Sequence, residues 1–313
     1  MKEAIETRRD MDLAKLLKQL ARSVVSASPS ALLNQIKNLR RVREDVKRRQ
    51  IAQDRFASFM RERLGRETVA LTSAPFPPRK LLLKTQASDE TSFQRKFEHG
   101  SYEARYAASG YRNIVDWFLL AERQGMELVD QCAIFELGVG TGPMLRHLIG
   151  VMGTRHVASD VNPEMVDWCR EHLPGATVHV NSLDPPLSFA QGEEFDLMYC
   201  HSVFTHIPLD RQAAWIREIA RILKSGGWAI VTVAGRRHAD RFLNQAEKDQ
   251  LYRDGQIEIG SQATNASLST SVGGSLWDVY QTRDEVRARF AACFEIKDYA
   301  QTANQDVLIL RKP

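Results

Sequence analysis

The sequence predicts an α/β fold, a mostly parallel seven-stranded sheet that ends in an antiparallel hairpin, preceded by an N-terminal helical extension. Three observations predict it. Short apolar runs recur at 132–137, 156–160, 177–180, 195–200 and 228–234, separated by helical stretches at about 143–150, 163–173 and 210–223. Strands alternating with helices form a parallel sheet covered on both faces. Two further runs, 294–299 and 306–310, follow each other closely. A parallel crossover needs a dozen or more residues, so these two must pair antiparallel. Finally, a glycine-rich turn lies between Phe135 and Asp160, where missing side chains let a ligand approach the backbone.

The extension, 1–72, reads as helix. Leu13, Leu16, Leu17, Leu20 and Val24 recur at helical spacing, and Ser28-Pro29 reads as a cap followed by a first-turn proline. Leu32, Leu33, Ile36, Leu39, Val42 and Val46 continue one face, while Arg40, Arg41, Arg43, Lys47, Arg48 and Arg49 cover the other. Residues 1–67 hold 17 Lys and Arg against 9 Asp and Glu, and the remainder 26 against 30, so the net charge of +4 conceals a basic arm. Such an arm suits packing on a partner subunit or on the domain, or contact with an anionic membrane surface. It lacks the aromatic interleaving of a nucleic-acid platform, so nucleic acid is not an expected partner. Ser73-Ala-Pro-Phe-Pro-Pro-Arg79 opens a linker, 73–96, and the main domain is read as 97–313.

The remaining composition excludes several classes. No apolar run reaches the ~18 residues that a membrane-spanning helix needs, and the charged Met1–Asp10 lacks the apolar centre of a signal peptide. Cys132, Cys169, Cys200 and Cys293 stand singly, without a C-x-x-C pair, so neither a disulfide framework nor a metal site is expected. A cytoplasmic location follows, peripheral to the membrane if the arm binds there.

Within the domain, the first strand leads into Gly138, Gly140 and Gly142. Pro143 then suits the first position of a helix that carries Met144, Leu145, Leu148 and Ile149. A dinucleotide fingerprint would place its third glycine at 143, and no G-x-x-x-x-G-K-[ST] loop exists for a triphosphate. The second strand ends on Asp160. Pro174-Gly175 stops the next helix, and Ser225-Gly-Gly227 turns into the fifth strand. Thr282-Arg-Asp-Glu285 reads as a capping box that opens a helix to about Phe290.

Glu136-Leu-Gly138-Val-Gly140-Thr-Gly142 together with Asp160 resembles the cofactor site of class I S-adenosylmethionine-dependent methyltransferases, whose sheet is Rossmann-like. Three later pieces resemble that family in order: Glu194-Phe-Asp196 through His206-Ile-Pro208, Ala220 through Gly227 to Ala234, and Gln305 through Lys312. The resemblance implies S-adenosylmethionine as cofactor, with Gly138, Gly140 and Gly142 against its amino-acid and ribose portions. Asp160 would accept hydrogen bonds from the ribose hydroxyls. Glu136 would orient the turn or reach the cofactor's amino group through water, or else bond the loop backbone. Adenine contacts are expected after the third strand, from Ser182 and Leu183. The acidic residue typical there is replaced by Ser182, or is Asp184 if the loop is longer. Arg105, in the segment before the first strand, would meet the cofactor's carboxylate, or else is a solvated arginine on a helix.

Catalytic candidates are His206 and His201, which follow the fourth strand where cofactor and acceptor should meet. Histidine's ordinary pKa suits proton removal near neutrality. His206 is read as the general base or as a structural imidazole, His201 as backing the cofactor, and Asp196 as structural. The insertion 236–281 is expected to choose the acceptor. It contains a charged helix to about Asp254 and the hydroxyl- and amide-rich stretch 260–274, beside Trp277 and Tyr280. That composition suits a polar acceptor, or else a mobile lid of small residues. The Ser-Val-Phe-Thr-His-Ile-Pro run and the C-terminal strand also resemble methyltransferases of bacterial sugar and polysaccharide pathways. The expected reaction is therefore O-methylation of a sugar or glycan-type hydroxyl. The alternatives are a small natural-product acceptor, or a catalytically silent module whose arm binds a partner or membrane.

Overall fold

The computed structural model describes residues 75–78, 81, 102–127, 132–149, 155–260, 277–302 and 305–313, all within the unit Phe56–Pro313. The basic arm, most of the linker and 261–276 of the insertion lie outside the described residues. Among the described residues, no helix is long and apolar enough to cross a membrane.

One sheet organises the domain. Its strands are β1 (Ala133–Leu137), β2 (Arg155–Asp160), β3 (Ala176–Val180), β4 (Phe195–Cys200), β5 (Leu223–Val233), β8 (Glu295–Ala300) and β9 (Asp306–Arg311). They are ordered β3-β2-β1-β4-β5-β9-β8. The first five are parallel, and β9 lies antiparallel between β5 and β8. This is the Rossmann-like arrangement predicted, with the terminal hairpin inserted against β5. Strand order reverses between β1 and β4, the place where open α/β sheets gather ligands beyond the strand ends.

The central apolar runs form strands buried on both faces. All five residues of β1 are buried. Alternation sends Phe135, Met198, Val231 and Leu308 to one core, with Trp215, Ile219 and Phe290. It sends Ile134, Leu197, Ile230 and Ile309 to the other, with Ile114 and Phe118. The first face is covered by α4 (Leu209–Ile222) and α7 (Arg283–Phe290), the second by α1 (Tyr102–Arg123). In α4 the buried Trp215, Ile216, Ile219 and Ile222 form a helical stripe. A smaller core joins α3 (Pro163–His172) to β2 and β3 through Val166, Cys169, Ala158 and Val178. At the opposite edge from the glycine turn, Asp196 accepts from Ala133 N at 2.7 Å and pairs with Lys224 Nζ at 2.8 Å. This fits its structural reading.

Several local expectations are corrected. The helix after Gly142 is a single turn, α2 (Leu145–Leu148), whose N-cap is Met144. Pro143 therefore precedes the helix rather than opening it. β5 begins at Leu223, so Ser225-Gly-Gly227 lies inside the strand. Gly226 takes φ +77° there, and pairing with β4 jumps between Phe195 and Leu197. Thr282 occupies the N-cap of α7 but makes no side-chain cap bond.

The described residues of the insertion form more than a charged helix. It holds α5 (Arg236–Phe242), α6 (Gln245–Asp254), β6 (Gln256–Gly260) and β7 (Trp277–Gln281). β6 and β7 pair antiparallel as a separate ribbon. A capping box between Asn244 and Glu247 starts α6, and Gly255 ends it at φ +77°. Val279 N donates to Thr205 O at 2.9 Å and Gln281 N to Ala234 O at 3.1 Å, so β7 is laid over the ends of β4 and β5.

Candidate functional site

The cradle is built where β1, β2 and β3 stop. After Leu137 the chain turns through Gly138, Gly140 and Gly142, at φ of +76°, +53° and +74°. A Cβ on Gly138 would collide with Val203, and one on Gly142 with Leu173. Packing therefore requires glycine at these two positions in addition to any ligand. Gly138 N and Val139 N both donate to Ser159 O, at 2.8 and 2.9 Å, which fastens the turn to β2.

Asp160 closes β2 facing this turn. Its Oδ2 accepts from Gly140 N at 2.8 Å and its Oδ1 from Asn162 N at 2.9 Å. Burial raises its carboxyl above the ordinary range, and bonds from the Asn162, Gly140 and Val161 backbone oppose that rise. Glu136, 2% exposed, accepts from the Tyr199 hydroxyl at 2.7 Å. Its partner is thus β4 rather than the loop backbone. Burial pushes its pKa up to about 8, the Tyr199 bond lowers it and nearby Asp160 raises it further.

The turn is held from above by α1. Tyr106 Oη donates to Thr141 O at 2.6 Å and lies 2.9 Å from Thr141 Oγ1. Arg146 sits with its guanidinium 4.9 Å from the Phe76 ring centre and 5.4 Å from that of Tyr106, and donates to Pro75 O at 2.6 Å. Pro75 and Phe76 of the linker are therefore packed on the domain. Arg105 falls on α1, but its side chain lies outside the described residues.

Beyond β3, Asn181 N donates to Asp160 O at 3.0 Å. The Asn181 amide donates to Ser182 O at 2.8 Å, and its Oδ1 is buried without a hydrogen-bond partner. Ser182 and Leu183 are exposed beside it, with Leu183 O accepting from Trp215 Nε1 at 3.1 Å. Asp184 pairs with Arg211 at 3.2 Å. Asn181 is the residue that sequence reading overlooked here. It stands one position before Ser182, where amide rather than acid chemistry hid it.

Beyond β4 and β5 lies a pocket of about 110 Å³ lined by Ser202, Thr205, His206, His238, Asp278, Tyr280 and Gln305, together with the aliphatic Ala234 and Val279. Ser202 is held at φ +59°, an unusual backbone for a residue with a Cβ. A polar network fixes it: its N–H donates to Thr232 Oγ1 at 2.8 Å, Thr232 donates to Gln305 Oε1 at 2.7 Å, and Gln305 Nε2 donates to Ser202 Oγ at 2.7 Å. His206 Nδ1 lies 3.0 Å from Trp277 O and 3.5 Å from Asp278 Oδ1. His201 is not among the lining residues; its ring lies 5.4 Å from that of Trp117 on α1. Asp278, Tyr280 and Gln305 carry no sequence signal tying them to His206, because only the docking of the ribbon and of β9 brings them near.

Residues 135–231 match the family of methyltransferase domains. An uncharacterized methyltransferase-like protein of Schizosaccharomyces pombe is 34% identical over 102 residues, covering 32% of this chain and 38% of its own length. The chain thus spans well under half of that curated relative. Similar solved structures include a S-adenosylmethionine-dependent methyltransferase of Mesorhizobium loti, 14% identical, covering 62% of this chain and 97% of its own, with a TM-score of 0.47. Another, from Methanosarcina mazei, is 16% identical and covers 59% of this chain and 94% of its own, with a TM-score of 0.46.

The segment that matches the methyltransferase-domain family runs from β1 to β5, and S-adenosylmethionine is the cofactor this match supports. The residues present fit that group. Asp160 offers acceptors for ribose hydroxyls, the left-handed turn exposes backbone, and the orphaned Asn181 Oδ1 is an acceptor suited to an exocyclic amine.

Proposed function

We propose that the domain methylates a hydroxyl of a polar, sugar- or glycan-type acceptor, with His206 as the general base. The observation that carries this reading is the pocket beyond β4 and β5. Hydroxyl, amide, imidazole and carboxyl groups converge there, on the same sheet edge as the Asp160 cradle and beside β1. Such a lining favours an acceptor that brings several hydroxyls of its own.

Bound cofactor would supply an electrophilic methyl group together with its own leaving group. The chain's residues must then bind, orient and manage one proton. Asp160, Glu136 and the three glycines hold the cofactor. Asn181, Ser182 and Leu183 border its base, and His201 beside Trp117 backs the site. Ser202, Thr205 and Gln305 orient the acceptor, and His206 removes its hydroxyl proton.

The basic surplus of residues 1–67 supports a role for the arm in assembly with a second copy or at an anionic membrane surface. Sedimentation of the full chain with and without anionic vesicles separates these two outcomes.

Transfer of labelled methyl from S-adenosylmethionine into fractionated lysate tests the acceptor class, with Gly140→Arg as the inactive control. Label in a glycan or lipid-linked sugar fraction is the expected result. Label in other small molecules or in protein would overturn the acceptor class. Cofactor binding with no label anywhere would favour a catalytically silent module.

A further inference from the structure

We propose that Asp278 is the positioning residue of a His206–Asp278 pair, so that the β6–β7 ribbon completes the proton-accepting apparatus as well as roofing the acceptor pocket. This rests on the reading of His206 as the general base.

A carbonyl oxygen can only accept a hydrogen bond. The 3.0 Å contact between His206 Nδ1 and Trp277 O therefore requires the proton on Nδ1. The neutral ring then carries its lone pair on Nε2, the form in which it can take a proton. Asp278 Oδ1, 3.5 Å from the same Nδ1, sets a carboxylate beside the positive charge that the ring acquires on doing so. One dipeptide, Trp277-Asp278, thus fixes the tautomer with its backbone and sets a carboxylate beside the ring with its side chain.

The ribbon that carries this dipeptide is rigidly anchored. Val279, the next residue, donates to Thr205 O at 2.9 Å, one residue from His206 itself. Ala234 at the end of β5 bridges to Tyr280. On the far strand, Glu258 accepts from Leu209 N at the start of α4. Arg289 of α7 donates to Gln256 Oε1 at 2.5 Å and to Leu209 O at 3.1 Å. The spacing of Asp278 from His206 is therefore set by contacts on both strands of the ribbon.

In the step itself, the acceptor O–H bond breaks toward Nε2 as the acceptor oxygen gains the methyl group. The electron pair of the broken S–C bond stays on sulfur, leaving a neutral thioether. The imidazolium so formed returns its proton to water before the next turnover.

The test uses the full chain labelled with 15N at histidine, in the absence of cofactor and acceptor, at a pH where imidazole is neutral. His206, assigned by the loss of its signals in His206→Gln, is expected as the Nδ1–H tautomer. Asp278→Asn is expected to retain that tautomer, because Trp277 O still accepts from Nδ1. Asp278→Glu should retain the wild-type form. With the acceptor fraction identified by label transfer, Asp278→Asn should lower kcat roughly 10-fold or more at unchanged S-adenosylmethionine KM. An Nε2–H tautomer in the wild type would overturn the pair, as would an Asp278→Asn variant with unaltered kcat. Label transfer by a protein whose His206 is Nε2–H would sink this pair while leaving the methyltransferase reading intact. Failure to bind S-adenosylhomocysteine would remove both.

Discussion

Asp160 and His156 show how one strand, β2, serves both the site and the core. Asp160 accepts from the Gly140 and Asn162 backbone, and its carboxylate is the proposed acceptor for a ribose. Removing that carboxylate deletes charge-assisted bonds, so Asp160→Ala should weaken S-adenosylhomocysteine roughly 10- to 100-fold in calorimetric titration. Unchanged affinity would displace the ribose site from β2. Four residues earlier, His156 is 4% exposed, and burial pushes its pKa down from 6.5 to about 4, opposed by the Leu148 backbone. The folded chain then resists a proton that the unfolded chain accepts below 6.5. Stability from this group is full above pH 6.5 and is lost as pH falls toward 4, by about 3 kcal/mol in total. His156→Leu should flatten that acid limb in urea denaturation measured from pH 7 to pH 4. A wild-type slope retained in the variant would place the titrating group elsewhere. Both residues were visible in the sequence, but only Asp160 at a strand end carried a signal; a histidine within an apolar run looks the same whether it is buried or exposed.

Among the elements, the accessory ribbon and its two helices separate the sequence signals that formed from those that did not. Asn244 and Glu247 exchange both bonds of a capping box at the start of α6, at 3.0 Å and 2.8 Å. Thr282 and Glu285 have the right spacing but no cap bond at α7. Asn244→Ala should therefore cost about 1 kcal/mol, and Thr282→Ala distinctly less, compared by chemical denaturation. Equal losses would mean that both caps are engaged in solution. The Thr282 pattern was read correctly as a helix start, because an N-cap residue and the apolar positions after it suffice for that. Whether its hydroxyl then bonds N3 depends on where β7 delivers the chain into α7, which the four residues themselves do not encode. The same applies to the ribbon. Ile257, Ile259 and Val279 alternate with polar neighbours, yet too briefly to outweigh the hydroxyl-rich stretch between them.

For the molecule as a whole, the C-terminal strand is the decisive piece. β9 pairs with β5 on one side and β8 on the other, and Val307, Leu308, Ile309 and Leu310 are at most 1% exposed. Ending the chain after Gln305 would open the sheet, leave β8 without a partner and uncover both cores. Such a chain should lose its cooperative unfolding transition in circular dichroism and fail to bind S-adenosylhomocysteine. A soluble, cooperatively folding truncation would contradict the centrality of β9. The sequence by itself determined the strands of the main sheet, their parallel run, the terminal hairpin, the glycine turn and Asp160. These rest on local periods of two and 3.6 residues and on backbone conformations that few residue types allow. Only the tertiary structure decided that Glu136 meets Tyr199, that Tyr106 caps Thr141, and that His206 faces Trp277 and Asp278. Those contacts join residues 35 to 72 positions apart. Their partners are chosen by strand order and by the docking of the ribbon over β4 and β5, and the packing that places them leaves no periodic trace in the chain.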